Sequence, residues 1–173
     1  IQFDSFDHTG EAERKVFADF WAYVQKARQA AIKTYGTADQ FGVYVWSGAE
    51  ERIFKHLTTK HAGAPGIPTA DEMETFIEEH VIDQLKVCRQ LVFPVESYSI
   101  KDIAKMILDR DGKSFEWPME DAGGAASTMW YAKACEGDQE MVDKVRAYNK
   151  ADTEIQVQIQ NQFIRVSRSL KDS

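Results

Sequence analysis

The sequence predicts a helix-rich α/β fold, and three observations carry that expectation. Apolar residues recur at helical spacing over long stretches, first at Val16, Phe17, Phe20, Trp21, Val24, Ala27 and Ala31. A short run over residues 41–46 is dense in aromatic and β-branched residues and reads as a strand. Helix-start patterns then punctuate the chain: Ser47 with Glu50, Thr69 with Glu72, and Ser99 with Asp102.

Taken in order, the first helix is expected over residues 11–35, with Gly36 placed to stop it in a left-handed turn. After the strand, Ser47 opens a second helix ahead of the apolar pair Ile53 and Phe54. A loop rich in Gly and Pro, residues 63–68, separates it from helices over residues 70–79 and 84–92. Ser99 starts a helix that runs to about Leu108 and that Asp111 and Gly112 end. Trp117-Pro118 falls in an irregular stretch, residues 125–134 are helical, and Gly137-Asp138 introduces a long final helix. One strand does not make a sheet. Either residues 1–7, apolar at Ile1, Phe3 and Phe6, add a strand, or the chain is a fragment missing the first β-strands.

The 173 residues, 43% apolar and 12% aromatic, suffice for one domain with a real core, so a single domain over residues 1–173 is expected. No repeat or low-complexity linker divides it. The two cysteines, Cys88 and Cys135, stand far apart without a CxxC or Cys/His cluster. They read as buried thiols in a reducing, cytoplasmic setting. The longest apolar run, residues 91–95, contains Pro94 and is far below the roughly 20 residues of a membrane span. A net charge of −7 disfavours a protein that binds mainly by neutralising phosphates, but not one that meets them through metal ions.

The last helix carries the most informative pattern. Met141, Val145, Tyr148, Ile155, Ile159, Phe163 and Val166 form an apolar stripe, and Asp152 fills the slot midway along it. A carboxylate in a core position needs a hydrogen bond, a counter-charge or a metal. Tyr148 lies one turn earlier on the same face. Asp152 is thus either a functional acid or a residue at the rim of the stripe that accepts a structural hydrogen bond.

Three segments occur in a telling order: Tyr44-Val45-Trp46-Ser47-Gly48-Ala49-Glu50, then Ser97-Tyr98-Ser99-Ile100-Lys101, then Tyr148-Asn149-Lys150-Ala151-Asp152. Together they resemble the RNase H-like nuclease domain of the predicted RecB-type family, related to the DEDD 3′–5′ exonucleases. The Y-x-x-x-D spacing matches the third motif of the DEDDy type. The resemblance covers residues 11–164 and implies a metal-dependent nuclease acting on DNA or RNA, as a module of a larger helicase or repair protein. It implies Asp152, Glu50 and Asp83 as ligands to magnesium or manganese, with Tyr148 orienting the water. Two such ions about 4 Å apart assist in-line attack on a phosphodiester, and hard ions suit an oxygen-rich site. Asp83-Gln84 departs from the family's usual acid-apolar pair, and Ile100 replaces a commoner Leu. The family's first motif, D-x-E on the opening strand, is not reproduced in residues 1–10, where Asp4 and Asp7 have the wrong spacing. It is expected on a strand within roughly 60 residues upstream, and without its two acids the two-metal site is incomplete in this chain, so that the fragment by itself is expected to be impaired or inactive.

Other readings stay open. Glu50 is either a metal ligand or the partner of Ser47 in a capping box, and Asp83 either a ligand or a backbone anchor. Lys101 either contacts a phosphate or is exposed in the first turn of its helix. Trp117, Trp130 and Tyr131 stack on unpaired bases or close a core. Arg165, Arg168 and Lys171 touch a phosphate backbone or complement the helix dipole. His8, His56, His61 and His80 lack zinc spacing and read as surface or cap residues. The alternative to a nuclease is a non-catalytic nucleic-acid-binding or protein-interaction scaffold.

Overall fold

Thr9 starts the first helix, α1 (Gly10–Tyr35): its hydroxyl accepts from the Ala12 amide at 3.2 Å, and Glu11 and Glu13 complement the positive end of the helix. Gly36 ends it at φ 77°, with its N–H on the Ile32 carbonyl. The computed structural model describes residues 1–110, 112 and 124–171. Asp111, Trp117 and Pro118 lie outside the described residues, as do the side chains of Arg168 and Lys171. The chain divides into two units, Ile1–Gln84 and Leu85–Ser173.

In the first unit, β1 (Val43–Val45) is followed by α2 (Gly48–Lys60), α3 (Ala70–His80) and β2 (Val81–Asp83). The two strands pair in parallel, with Val43 opposite Val81, Tyr44 opposite Ile82 and Val45 opposite Asp83. A parallel pair needs a long crossover, and the two intervening helices supply it. Strand β2 is absent from the sequence reading because three residues are too few for alternation to register, and neither Gly nor Pro marks its ends.

Residues 1–8 form no strand, contrary to one of the two expectations. The physical reason is local: the Asp7 amide donates to Ser5 Oγ at 3.1 Å and the Thr9 amide to Asp7 Oδ1 at 2.9 Å, so side chains take up the donors a ladder would use. Phe3 instead packs on α1, 6.0 Å from the Phe20 ring and 5.5 Å from that of Tyr23.

The core of this unit is Phe17, Val24, Met73, Phe76 and Ile77, ringed by Phe20, Trp21, Phe41, Val43, Phe54 and Leu57. The expected box at Thr69 forms in full: Thr69 Oγ1 accepts from the Glu72 amide at 3.2 Å, and Glu72 Oε2 accepts from the Thr69 amide at 2.8 Å. Thr69→Ala should therefore cost about 1 kcal/mol, read as a lower urea midpoint at unchanged slope; an unaltered midpoint would show the box to be idle. Gly66 holds φ 82° in the preceding loop, and a Cβ there would meet Ala18 Cβ at 3.1 Å.

The second unit holds most of α4 (Gln84–Cys88), then α5 (Ile100–Arg110), α6 (Gly124–Cys135) and α7 (Gln139–Lys171). Helix α4 stops well short of the expected residue 92. Its end tightens into i−3 bonds, Gln90 to Val87 and Leu91 to Cys88, and Pro94 disfavours helix at the residue before it. Helix α7 packs against α6 and α5, burying Val142, Val145, Ala151, Ile155 and Ile159 with Ile103, Ala104 and Leu108. Cys88 is buried and Cys135 half-buried, and among the described residues neither forms a disulfide. Among the described residues no helix is long and apolar enough to cross a membrane.

Candidate functional site

Helix α7 presents Tyr148 and Asp152 one turn apart, and the phenol donates a hydrogen bond to the carboxylate. Burial raises the Tyr148 hydroxyl above its ordinary pKa, and the adjacent Asp152 charge and hydrogen bond add to the rise. The phenol therefore stays protonated at neutral pH and acts as a donor.

The expectation that Asp152 fills a core slot is corrected. The fully packed row is Ala151, Ile155 and Ile159, with Gln162 beyond, whereas Asp152 is half-buried beside it. Alanine at 151 lets α7 approach its neighbours closely, and a residue that small does not stand out in an apolar stripe. Val166, expected at the stripe's end, is 39% exposed.

Two further side chains meet Tyr148. Trp130 of α6 sets its edge against the phenol ring, centroids 6.2 Å apart at 72°. Lys101 of α5 holds its ammonium 6.0 Å from the ring centroid. The structure thus gives Trp130 the packing role rather than that of a free stacking platform.

The Ser97-Tyr98-Ser99 segment places Lys101. Ser99 Oγ accepts from the Asp102 amide at 3.1 Å and donates to Asp102 Oδ2 at 2.9 Å, while Ser97 donates to the same oxygen. Tyr98 anchors the loop by donating to the Leu91 carbonyl at 2.8 Å. The hydrogen bonds from Ser97 and then Ser99 hold the Asp102 carboxyl below its usual pKa, against a smaller opposing effect of burial. A depressed folded-state pKa contributes stability that is present above the unfolded value near pH 4 and is lost as pH falls through the folded one. The stability difference between the wild type and Asp102→Asn should accordingly be present at pH 7 and vanish on acidification. A difference that persists unchanged to pH 2 would contradict this account.

In the first unit, Asp83 ends β2 and is buried, while Glu50 lies half-buried in the first turn of α2, just past β1. Both sit at the carboxyl ends of paired parallel strands, where open α/β sheets place ligands. Ser47 caps α2 by accepting from the Ala49 amide at 3.2 Å, and its hydroxyl is 3.4 Å from Glu50 Oε2. Glu50 is therefore in contact with the cap without being consumed by a full box. Tyr148, Asp152 and Lys101 belong to one unit and Glu50 and Asp83 to the other. Among the described residues no group of three or more His, Cys, Asp or Glu side chains is placed to hold a metal ion.

A family model described as RNase_H superfamily matches residues 25–164, most of the chain. The chain belongs to the RNase H superfamily. No curated protein and no solved structure matches it. RNase H membership makes it a nuclease-like nucleic-acid hydrolase at the level of the family, whose members generally use divalent metals. The RNase H match runs through both units and contains Glu50, Asp83, Lys101, Trp130, Tyr148 and Asp152.

Sequence reasoning missed His80, expected at the surface or in a cap. It is 6% exposed, and the Arg28 Nε–H donates to its Nε2 at 2.9 Å. No local signal connects residues so far apart in the chain.

Proposed function

We propose that the chain is a metal-dependent nuclease domain of the RecB-like, DEDDy type, hydrolysing DNA or RNA in the manner of a 3′–5′ exonuclease. The observation that carries this reading is the Tyr148–Asp152 pair: a protonated phenol held one turn from a half-buried carboxylate, in a chain of RNase H membership. In it Asp152 holds a divalent ion, and the phenol orients the attacking water by a hydrogen bond. By the same resemblance Glu50 and Asp83 are proposed as hard oxygen ligands within the first unit, and Lys101 as a contact to a substrate phosphate. Magnesium or manganese, when bound, lowers the pKa of water and neutralises charge on the phosphate. Carboxylates are the right donor class for these ions, which supports the assignment by chemistry.

The reading also takes residues 1–173 as one domain, supported by a family match that spans the boundary between the units. It includes a parent protein in which further strands join β1 and β2, one bearing D-x-E. In support, the parallel sheet has two strands among the described residues and leaves Tyr44 40% and Ile82 38% exposed, whereas parallel sheets are normally covered on both faces.

The test is cleavage of 5′-labelled single-stranded DNA and RNA with manganese by the chain extended upstream through the D-x-E strand, alongside manganese binding by the chain itself. A ladder shortening from the 3′ end is expected. Internal cuts would replace the exonuclease assignment with an endonuclease, and binding of nucleic acid without manganese affinity would favour the scaffold alternative.

A further inference from the structure

Between α1 and α3 lies an open cavity of about 300 Å³, lined among others by Trp21, Arg28, Asp71, Thr75, Glu79 and His80. Its volume is at the lower bound of sites that take small molecules. It lies wholly within the first unit and includes none of Glu50, Asp83, Tyr148 and Asp152.

The chemistry of its wall is unusual. Arginine is always protonated, so a bond from Arg28 Nε–H to His80 Nε2 makes that nitrogen the lone-pair atom and puts the ring proton on Nδ1. Nδ1 is buried and has no hydrogen-bond partner among the described residues. A buried donor left unpaired calls for a reason. The reason here is positional: His80 is spent holding the guanidinium, with the Phe41 and Phe76 rings 5.4 Å and 6.0 Å from its own. The terminal nitrogens of Arg28 have no protein partner among the described residues and form a fixed two-pronged donor. Glu79 Oε2 lies 3.6 Å from the same His80 Nε2, which makes the carboxylate a neighbour of the fork with no ion pair between the two. Glu72, by contrast, is occupied in the Thr69 box.

We propose that this cavity binds an unpaired guanine base. A ligand that satisfies both walls must offer an acceptor pair to the fork and, next to it, donors to a carboxylate. Guanine does so: O6 and N7 take a bidentate arginine, and the adjoining Watson–Crick edge presents N1–H and the N2 amine to Glu79. The Trp21 indole supplies an aromatic wall for the base. A phosphate is opposed by Asp71 and Glu79, and a basic side chain by Arg28; a neutral base meets neither objection. Adenine carries an amine where guanine carries O6, and so sets a donor against the fork. The inference deepens the nucleic-acid reading and rests on it for the class of ligand.

The test titrates the chain with guanosine, adenosine and 7-deazaguanosine without divalent metal, followed by the Trp21 indole N–H resonance. Repeating it in Asp152→Asn separates this site from the proposed hydrolytic one: guanosine binding that persists there, with or without nuclease activity in the wild type, speaks for the cavity alone. Guanosine should bind about tenfold more tightly than adenosine. Replacing N7 should cost a similar factor in the wild type and nothing further in Arg28→Ala, and Glu79→Gln should weaken guanosine independently. Equal binding of guanosine and adenosine overturns the proposal, as does guanosine binding that survives both substitutions. A lysine-rich peptide that binds more tightly than guanosine, and more tightly still in Arg28→Ala, overturns it in favour of a basic protein segment. Should Arg28→Ala fail to fold, the 7-deazaguanosine comparison on the wild type decides alone.

Discussion

Asp152→Asn is expected to lower manganese affinity at least about tenfold and manganese-dependent cleavage by about 10²–10³-fold, at nearly unchanged stability. The substitution keeps the shape and the hydrogen bond from Tyr148 but removes the charge, so a structural acceptor at the stripe's rim would hardly notice it. A metal ligand would. Because Asp152 is half-buried beside the packed row rather than within it, loss of activity through unfolding is not the expected route, and the urea midpoint measures this directly. Tyr148→Phe complements the test: it should leave manganese affinity in place while slowing cleavage by about 10²-fold, since the phenol's part is to orient water. An Asp152→Asn chain that binds manganese like the wild type would remove the hydrolytic reading of this helix.

The largest stability effect is expected from Ile155→Ala, at about 2–5 kcal/mol. Ile155 is 0% exposed at the centre of the packed row of α7, and truncating it removes buried methyl groups and leaves a cavity. Against a total stability of roughly 5–15 kcal/mol, that is a large share. Val157, two positions along the same helix, is 55% exposed, and Val157→Ala should stay within about 0.5 kcal/mol. Urea unfolding followed by circular dichroism distinguishes them. Equal costs for the two substitutions would mean that α7 buries a different face.

Much of the local structure is legible in the residues themselves. The Thr69–Glu72 box, the Ser47 cap and the Gly36 stop each act over one helical turn, and each forms where its pattern stands. The i, i+4 relation of Tyr148 to Asp152 likewise follows from helix geometry alone. Less legible was anything short or distant. Strand β2 exists because Val81, Ile82 and Asp83 find β1 beside them, and three residues carry no periodic signal of their own. Helix α4 stops at Cys88 because the chain tightens ahead of Pro94 and Tyr98 pins the Leu91 carbonyl. His80 is buried because Arg28 and two aromatic rings converge on it from elsewhere in the fold.

The sequence by itself determined where the long helices begin, the spacing of the acid and phenol on the last one, and the family to which the motifs point. Tertiary structure alone decided that Ala151 rather than Asp152 lies in the packed row of α7, which strands pair, and that an arginine and a histidine share one cavity wall. The physical reason is range: caps and side-chain spacing are settled within about one turn of the chain, whereas burial is decided by whichever surfaces the completed elements bring together.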